Sequence, residues 1–322
     1  MKDIETRKQR AIRTTLKLMA AHRDTGNFES LPWPRNIIDR ETKRIKLDLR
    51  NGDVDVDYLE RVVRRSFRWN PQSVPMIPDD KLQLLRLLRT NASMSTLENH
   101  IRNGSELESQ IIETANSQLF KGHSPVSSIR NAMVRLGMES LKFLIYQIVI
   151  SKTLYRSKQF EGLVRKLQFK AIASAHFARE IASWINYQSD EAYLAALVHD
   201  IGEPYILQLM DVLQLDMEEE LAIGILKHAH SETGATILKR INVPLQIINA
   251  AESHHDFAGQ GLQTTSVLCA AADQICFHLN LLDEKYWNIS VSRLPFRLLG
   301  ISNEDAEIII ERCQDILDGL LE

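Results

Sequence analysis

The chain has 322 residues, of which 44% are hydrophobic and 25% charged, and its formal net charge at pH 7 is −3. This composition is ordinary for a globular protein with ample core. No run of eighteen apolar residues occurs, which argues against a membrane-spanning helix. The charged N-terminus lacks the apolar core of a secretory signal, so we expect a cytoplasmic protein. Cys269, Cys276 and Cys313 fit no zinc spacing and are expected to be reduced core thiols.

The first 50 residues are basic, with 13 Lys or Arg against 7 Asp or Glu. A basic arm could contact nucleic acid or a membrane surface. Its positive charges alternate with acids, however, and no docking motif is present. We therefore favour a solvated helical face and expect no nucleic acid partner.

The N-terminal part is predicted to contain a helix from 5 to 22 and a short helix from 55 to 67. The prolines of Leu31-Pro-Trp-Pro34 end the first helix, because proline lacks a backbone donor and fixes φ. A proline-punctuated linker, residues 69–78, follows. Residues 1–74 are therefore expected to form an N-terminal helical extension of unknown role.

The rest of the chain also has a helical pattern, with few glycines and prolines and no alternating strands. Leu82, Leu85 and Leu88 form a core stripe, and Ser95 with Glu98 forms a possible capping box. A break is expected at Leu136-Gly137. Further helices are predicted at 111–119, 138–153, 163–187, 191–200, 218–227, 232–241, 244–253, 265–281 and 303–321. The fold class is therefore all-α, a multi-helix bundle.

Short signatures follow one another in a fixed order along this helical part. They are Glu113-Thr-Ala-Asn-Ser117, Val126-Ser-Ser-Ile129, the segment from Ala192 to Gly202, His230-Ser-Glu-Thr-Gly234, Val243-Pro244 and His254-His255. In this order they resemble the HDOD family, all-helical bacterial signalling relatives of the HD phosphohydrolases. The resemblance covers about 200 residues. It implies an HD-like bundle at 75–281, with 282–322 as a C-terminal helical tail packing on it.

The segment from Ala192 to Val198 is apolar nearly all round and ends in His199 and Asp200. Such a helix should be buried, so the polar pair at its end must find partners. Adjacent side chains lie about 100° apart on a helix, and both can still reach one ion at a helix end. Imidazole and carboxylate suit zinc, iron or manganese.

The resemblance also implies a set of metal ligands. In catalytic HD phosphohydrolases, an early histidine, the His-Asp pair and a late aspartate hold one ion, and two-metal relatives add further histidines. Such ions activate water for attack on phosphorus. The matching positions here are His199, Asp200, His230, His254, His255 and Asp273. The cofactor implied is a divalent transition metal (Fe, Zn, Mn or Ni), or none.

Two positions depart from the catalytic pattern. The early histidine falls near Phe169 or Lys170, and a lysine cation there would repel a metal. His176 lies six residues further on, about 240° around the helix, and is a poor substitute. Glu203 stands where active relatives place a basic, phosphate-contacting residue. These two departures weaken the metal site and phosphate binding separately, and so argue against hydrolysis.

Several interpretations remain open from the sequence. The His199-Asp200 pair is either a hydrogen-bonded remnant that joins helices or a pair of metal ligands. His230 is either a helix-start residue that caps the helix or bonds the backbone, or a metal ligand, and one histidine of the 254–255 pair could be merely solvated. We expect a signalling protein without hydrolytic activity that contacts unknown signalling proteins. The alternatives are a metal-dependent phosphohydrolase with a rearranged site, and a sensor that binds a nucleotide or a metal without turnover.

Overall fold

The computed structural model describes residues 78–90, 92–102, 105–117, 124–240, 243–256, 263–281 and 293–321. All of them lie in one compact unit of the chain, residues 42–322. Their regular structure is entirely α-helical, which confirms the all-α fold class. The helices predicted before residue 75 lie outside the described residues. Within the described ranges, none of the helices combines the length and apolarity needed to cross a bilayer.

Twelve helices can be assigned within these ranges. They are α1 Asp79–Arg89, α2 Met94–Arg102, α3 Ser105–Asn116, α4 Ile129–Leu154, α5 Glu161–Trp184, α6 Ser189–Val198, α7 Gly202–Leu213, α8 Glu219–Arg240, α9 Leu245–Ser253, α10 Thr264–His278, α11 Leu294–Leu298 and α12 Asn303–Leu321.

Helix α4 begins at a capped N-terminus and is kinked within its second half-dozen residues. The hydroxyl of Ser128 accepts a hydrogen bond from the backbone N–H of Asn131, which satisfies one of the free amides of the first turn. Gly137 then adopts a φ of 74°, a left-handed conformation that glycine reaches without a steric penalty. The break predicted at Leu136-Gly137 is therefore confirmed as a kink.

Two local predictions are wrong. The capping residue of α2 is Ser93, whose hydroxyl accepts from the N–H of Thr96, whereas Ser95 lies inside the helix. Glu98 is buried and pairs with Arg102 and Arg130 instead of closing a capping box. The predicted helices 218–227 and 232–241 are one helix, α8, because no proline interrupts the stretch between them.

Helix α6 forms the centre of the bundle. Every residue from Ala192 to Val198 is buried, as expected from its apolar sequence. Helix α5 packs along it, and α9 and α10 cover its other sides. Cys269, Cys276 and Cys313 are buried free thiols, which confirms the prediction made for them.

Helices α7 and α8 cross at very close range. A Cβ added to Gly202 would lie 2.0 Å from the carbonyl oxygen of His230 and 2.9 Å from the amide nitrogen of Gly234. Only glycine permits this approach of two backbones. The crossing places the middle of α8 directly against the residues that follow α6.

The C-terminal helix α12 packs on α5. Its Arg312 forms an ion pair with Glu180 at 2.9 Å and lies over the ring of Trp184, 5.4 Å from the ring centroid. Cys313, Ile309 and Leu317 supply its buried face.

Candidate metal centre

Five helices and one inter-helix turn bring a cluster of polar side chains together inside the bundle. The contributing residues are Lys170 from α5, His199 and Asp200 from the turn after α6, Glu203 from the start of α7, His230 from α8, His254 and His255 from the end of α9, and Asp273 from α10. All except His255 are buried, and His255 lies at the exposed rim. All six predicted ligand positions therefore meet in space.

The His-Asp pair is positioned by the end of α6. The helix stops at Val198, and His199 takes the C-cap position. The Nδ1 of His199 lies 2.7 Å from the carbonyl oxygen of Ala196, so Nδ1–H donates to it and the other nitrogen points into the cluster. Both side chains of the pair point into the cluster, where His199 Nε2 lies 3.1 Å from Asp200 Oδ2.

One side of the cluster, which we call the lysine half, consists of Lys170, His199, Asp273 and the Oδ2 atom of Asp200. The ammonium of Lys170 forms an ion pair with Asp200 Oδ2 and lies 3.2 Å from Asp273 Oδ1. His199 Nε2 lies 3.1 Å from Asp200 Oδ2 and 3.1 Å from Asp273 Oδ2. Two cations therefore alternate with two carboxylates.

The charges of the lysine half support one another. Burial opposes the charged form of Lys170, but Asp200 and Asp273 outweigh it and hold the lysine pKa well above its ordinary value. Burial likewise opposes protonation of His199, yet the same carboxylates raise its pKa to about 10. Burial alone would raise the pKa values of the two aspartates, and the neighbouring cations lower them instead. The lysine half is thus a neutral set of two positive and two negative charges.

The other side, the histidine half, consists of His230, His254, His255 and the Oδ1 atom of Asp200. The Nδ1 of His230 faces the carbonyl oxygen of Leu226 at 2.7 Å. His254 Nδ1 lies 3.1 Å from the carbonyl oxygen of Ala250. In both rings the Nε2 atom is thereby directed towards the centre of the cluster.

The pKa values in the histidine half shift in the opposite direction from that of His199. Burial lowers the pKa of His230 to about 4, and the negative charge of Asp200 only partly opposes this. Burial, assisted by His254, lowers the pKa of His255 to about 3. Both rings are neutral at pH 7, which is the protonation state that binds metals.

Glu203 lies beneath the cluster instead of facing a substrate. Its side chain is 1% exposed, and its backbone N–H donates to the carbonyl oxygen of Asp200 at 2.9 Å. Burial, together with the negative charge of Asp200, raises its pKa well above the ordinary value. The expected repulsion of an anionic substrate by a carboxylate at this position stays a prediction, although the side chain is buried.

The two halves differ in their fit to a metal ion. In the lysine half, the ammonium of Lys170 already contacts both carboxylates that a metal ion would need. A metal ion therefore does not fit there. In the histidine half, Asp200 Oδ1 is buried and faces imidazole nitrogens, with His254 Nε2 at 3.2 Å and His230 Nε2 at 3.4 Å. That donor set fits a divalent transition metal.

The structure brings Asp273 to His199. Of Phe169 and Lys170, the two candidates for the position of the early histidine, it is Lys170 that joins the cluster. Lys170 is buried in the cluster, whereas Phe169 packs partly buried against the core. His176 does not join the cluster and instead packs edge-on against Tyr193. The interpretation of His230 as a helix-start residue is wrong, because it lies in the middle of α8, but the expected bond to the backbone is present at the carbonyl oxygen of Leu226.

Sequence reasoning missed the pairing role of Lys170. Lys170 is the only Lys, Arg, Asp or Glu between Lys166 and Arg179. A single charge in such an apolar stretch signals a buried partner of opposite charge. That signal is present, but from the sequence the lysine is interpreted as a lost histidine and a cation that repels metal, not as a partner of buried carboxylates.

A helical bundle whose buried central helix ends in a His-Asp pair, with histidines and a late aspartate gathered around it, defines an HD-related domain. The model of the HDOD domain matches residues 74–257, which is more than half of the sequence. The chain therefore belongs to the HDOD family. No curated protein matches it in sequence.

Solved structures share the fold. An HDOD domain protein of unknown function from Geobacter sulfurreducens aligns with a TM-score of 0.62 and 22% identity, covering 81% of this chain and 95% of its own. A candidate signal transduction protein from Marinobacter aquaeolei aligns with a TM-score of 0.63 and 18% identity, and the alignment covers 87% of this chain and 67% of that protein. A candidate metal-dependent phosphohydrolase from Shewanella amazonensis aligns with a TM-score of 0.55 and 16% identity, and the alignment covers 86% of this chain and 98% of that protein. At these identities the likeness establishes the fold alone.

Proposed function

We propose that this protein is a signalling or regulatory HDOD protein that lacks hydrolytic activity and acts through contacts with other proteins. The observation that carries the proposal is the position of Lys170. Its ammonium contacts Asp200 and Asp273, whose counterparts hold a metal ion in catalytic HD enzymes.

The surroundings of the cluster support the absence of turnover. Asp200 and Asp273 are each only 4% exposed, so a phosphate group cannot approach the carboxylates without a rearrangement of the bundle. Glu203 stands where a basic residue would contact phosphate, and its buried carboxyl group offers no positive charge to an incoming phosphate. A cavity of about 270 Å³ between α3, α4 and α5 is lined by other residues, among them Gln110, Gln147 and Ser151.

A regulatory role also agrees with one of the structural neighbours. The Marinobacter aquaeolei protein is described as a candidate signal transduction protein, and it shares this fold over most of the chain. The partners of the present protein would then be signalling proteins in a bacterial cytoplasm. We keep 75–281 as the HDOD domain and 282–322 as a tail packed on it.

The test is a hydrolysis assay on the full chain. The protein is incubated with Mn²⁺, Fe²⁺ or Ni²⁺ and with a nitrophenyl phosphodiester, a nucleoside triphosphate or a cyclic dinucleotide. We expect no turnover above that of a His199→Ala variant. Metal-dependent hydrolysis that disappears in His199→Ala would overturn the proposal.

One observation favours a second candidate, a phosphohydrolase with a rearranged site. The histidine half retains neutral imidazoles on a buried carboxylate oxygen, with His255 at the exposed rim. When bound, a metal there would polarise a phosphoryl oxygen. In that case the same assay would give activity that depends on metal and is lost in His255→Ala.

A further inference from the structure

The cavity of about 270 Å³ between α3, α4 and α5 has a mostly polar lining. Three carboxamides, one buried hydroxyl and one side chain of each charge contribute to it, namely Gln110, Gln147, Gln168, Ser151, Glu113 and Lys152. Among the described lining residues only Leu144 and Ile148 are apolar. Sites for larger organic molecules are lined mostly by apolar side chains, so this cavity suits a small polar molecule.

The polar lining residues occupy helix positions that usually carry apolar side chains. Gln147 and Ser151 lie three and seven residues after Leu144, on the same face of α4. Gln110 and Thr114 share one face of α3 in the same way. Such a stripe normally forms the apolar contact between neighbouring helices. Packing of the helices therefore does not explain why these positions are polar.

Two buried polar atoms of the lining have no hydrogen-bond partner among the described residues. They are Oε1 of Gln110 and Oγ of Ser151, and Ser151 is only 6% exposed. Other hydroxyls on these helices donate to the carbonyl one turn earlier, as Thr114 does at 2.9 Å and Thr153 at 2.8 Å. The hydroxyl of Ser151 does not. Because an unpaired buried polar atom costs stability, both atoms indicate a partner inside the cavity.

The charges around the cavity favour an uncharged ligand. Lys152, the cation of the lining, already forms an ion pair with Glu106. Glu113, the anion of the lining, is exposed. The described lining therefore offers no uncompensated positive charge to a phosphate or a carboxylate. Burying an ion without a partner charge is costly, whereas a neutral polar molecule needs only hydrogen bonds.

The size and the carboxamides narrow the class of ligand further. The volume is that of about nine water molecules at roughly 30 Å³ each, which is room for one small ring system but not for a dinucleotide. A carboxamide presents a donor and an acceptor side by side, which is how glutamine pairs with the edge of adenine. Three carboxamides around one cavity thus suit a planar heterocycle with several donors and acceptors. Leu144 and Ile148 can contact its apolar face.

We propose that this cavity binds one uncharged nucleobase or its nucleoside, with Gln110, Gln147, Gln168 and Ser151 as hydrogen-bonding residues. The site is separate from the polar cluster. Gln168 lines the cavity, whereas Lys170 is buried in the cluster and lies about 200° further around α5. The inference goes beyond the proposed function and does not depend on it. Hydrolysis would overturn only the proposed function, and failure to bind a nucleoside would overturn only this inference.

The first experiment titrates the full chain, without added metal, with adenosine, guanosine, cytidine and uridine. Calorimetry and saturation-transfer NMR report the binding. We expect one site per chain and a Kd below about 1 mM for at least one nucleoside. The 5′-monophosphate of that nucleoside should bind no more tightly. The inference is overturned if none of the four binds, or if the monophosphate binds more than about threefold tighter, which would show a site for anions.

Variants then place the ligand in the cavity. Ser151→Ala should weaken nucleoside binding at least about fivefold, the loss of one hydrogen bond, without lowering the stability of the free protein, because the hydroxyl is unpaired there. Ser109→Ala, the same change at an exposed position of α3, is the matched control and should alter binding less than about twofold. His255→Ala, at the rim of the polar cluster, should also bind as the parent does. Binding lost in His255→Ala and kept in Ser151→Ala would refute the assignment.

A second lining residue tests the carboxamides. Gln110→Leu keeps the approximate size of the side chain and removes its unpaired oxygen, so we expect a loss of affinity similar to that of Ser151→Ala. A folded Gln110→Leu protein, as judged by circular dichroism, that binds the nucleoside as the parent does would contradict this role. If the variant does not fold, the comparison of Ser151→Ala with Ser109→Ala decides the inference.

Discussion

Lys170→Met removes one charge from a buried neutral set and keeps a side chain of similar length. In the parent, Lys170 and His199 balance Asp200 and Asp273, and all four are buried. In the variant, His199 alone faces two carboxylates, and one negative charge is left uncompensated. Removing one partner of a buried ion pair costs about 3–5 kcal/mol. We expect a loss of that size in the free energy of unfolding at pH 7.5.

The size of this loss should depend on pH. In the parent, the pKa values of Asp200 and Asp273 are lowered by folding, so their contribution is present above the unfolded-state pKa and is lost only in strong acid. In Lys170→Met, the uncompensated carboxylate instead has a raised pKa. Such a group favours the folded state below its unfolded-state pKa and loses that contribution as the pH rises. The deficit of the variant should therefore be smaller at pH 5 than at pH 7.5.

Urea unfolding followed by circular dichroism at both pH values measures these differences. Lys166→Met, an exposed lysine on the same helix, is the control and should change stability by less than about 0.5 kcal/mol. The double variant Lys170→Met/Asp273→Asn removes the surplus charge and should recover about half of the loss or more. A loss below about 1 kcal/mol that does not vary with pH would refute the charge-balance reasoning.

Four further outcomes are expected. Gly202→Ala should lower the free energy of unfolding by at least about 2 kcal/mol, because the added Cβ would meet the His230 carbonyl. Gly224→Ala, with open space around its Cβ, is the control and should not lower it. Equal urea midpoints for the two variants would contradict this. Glu203→Gln should stabilise the protein at pH 7.5 and have less effect at pH 4.5, since folding raises the pKa of Glu203 and the acid therefore costs stability as the pH rises above its unfolded-state pKa. A uniform loss at both values would contradict this. Burial lowers the pKa of His176 to about 4, so the folded state favours its neutral form. The free energy of unfolding should therefore fall by up to roughly 3 kcal/mol as the pH drops from 6.5 towards 4. His176→Phe should flatten this part of the stability profile, and an unchanged slope would count against the reasoning. Zn²⁺ at one hundred times its Kd should raise the free energy of unfolding by about 2.7 kcal/mol, and no rise in the melting temperature would argue against binding.

Much of the fold could be predicted from the sequence because its helices have strong local signals. The buried helix that ends in His199 and Asp200 is apolar on all sides, and its position follows from that pattern alone. The start of α12 at Asn303 and the kink at Gly137 are also local features. In each case the residues that determine the structure are neighbours in the chain.

The errors arose where partners are distant in sequence. The pattern Ser95 to Glu98 satisfies a capping rule, but Glu98 is drawn inwards by Arg130, 32 residues away. The protonation of Glu203 depends on Asp200 and on burial, which no local pattern records. Lys170 meets Asp200 across 30 residues, and only the packing of α5 on α6 makes the lysine a counter-ion.

The tethered ammonium of Lys170 also bears on how the chain reaches its native state. In a site whose carboxylates are neutralised only by metal ions, the negative charges stay uncompensated in the metal-free protein. Folding is then coupled to metal binding. Here a cation of the lysine half is the ammonium of Lys170, which is part of α5 and is placed against the carboxylates when α5 packs on α6. The charges of the lysine half are therefore balanced within the folded chain itself, with no ion required at these carboxylates.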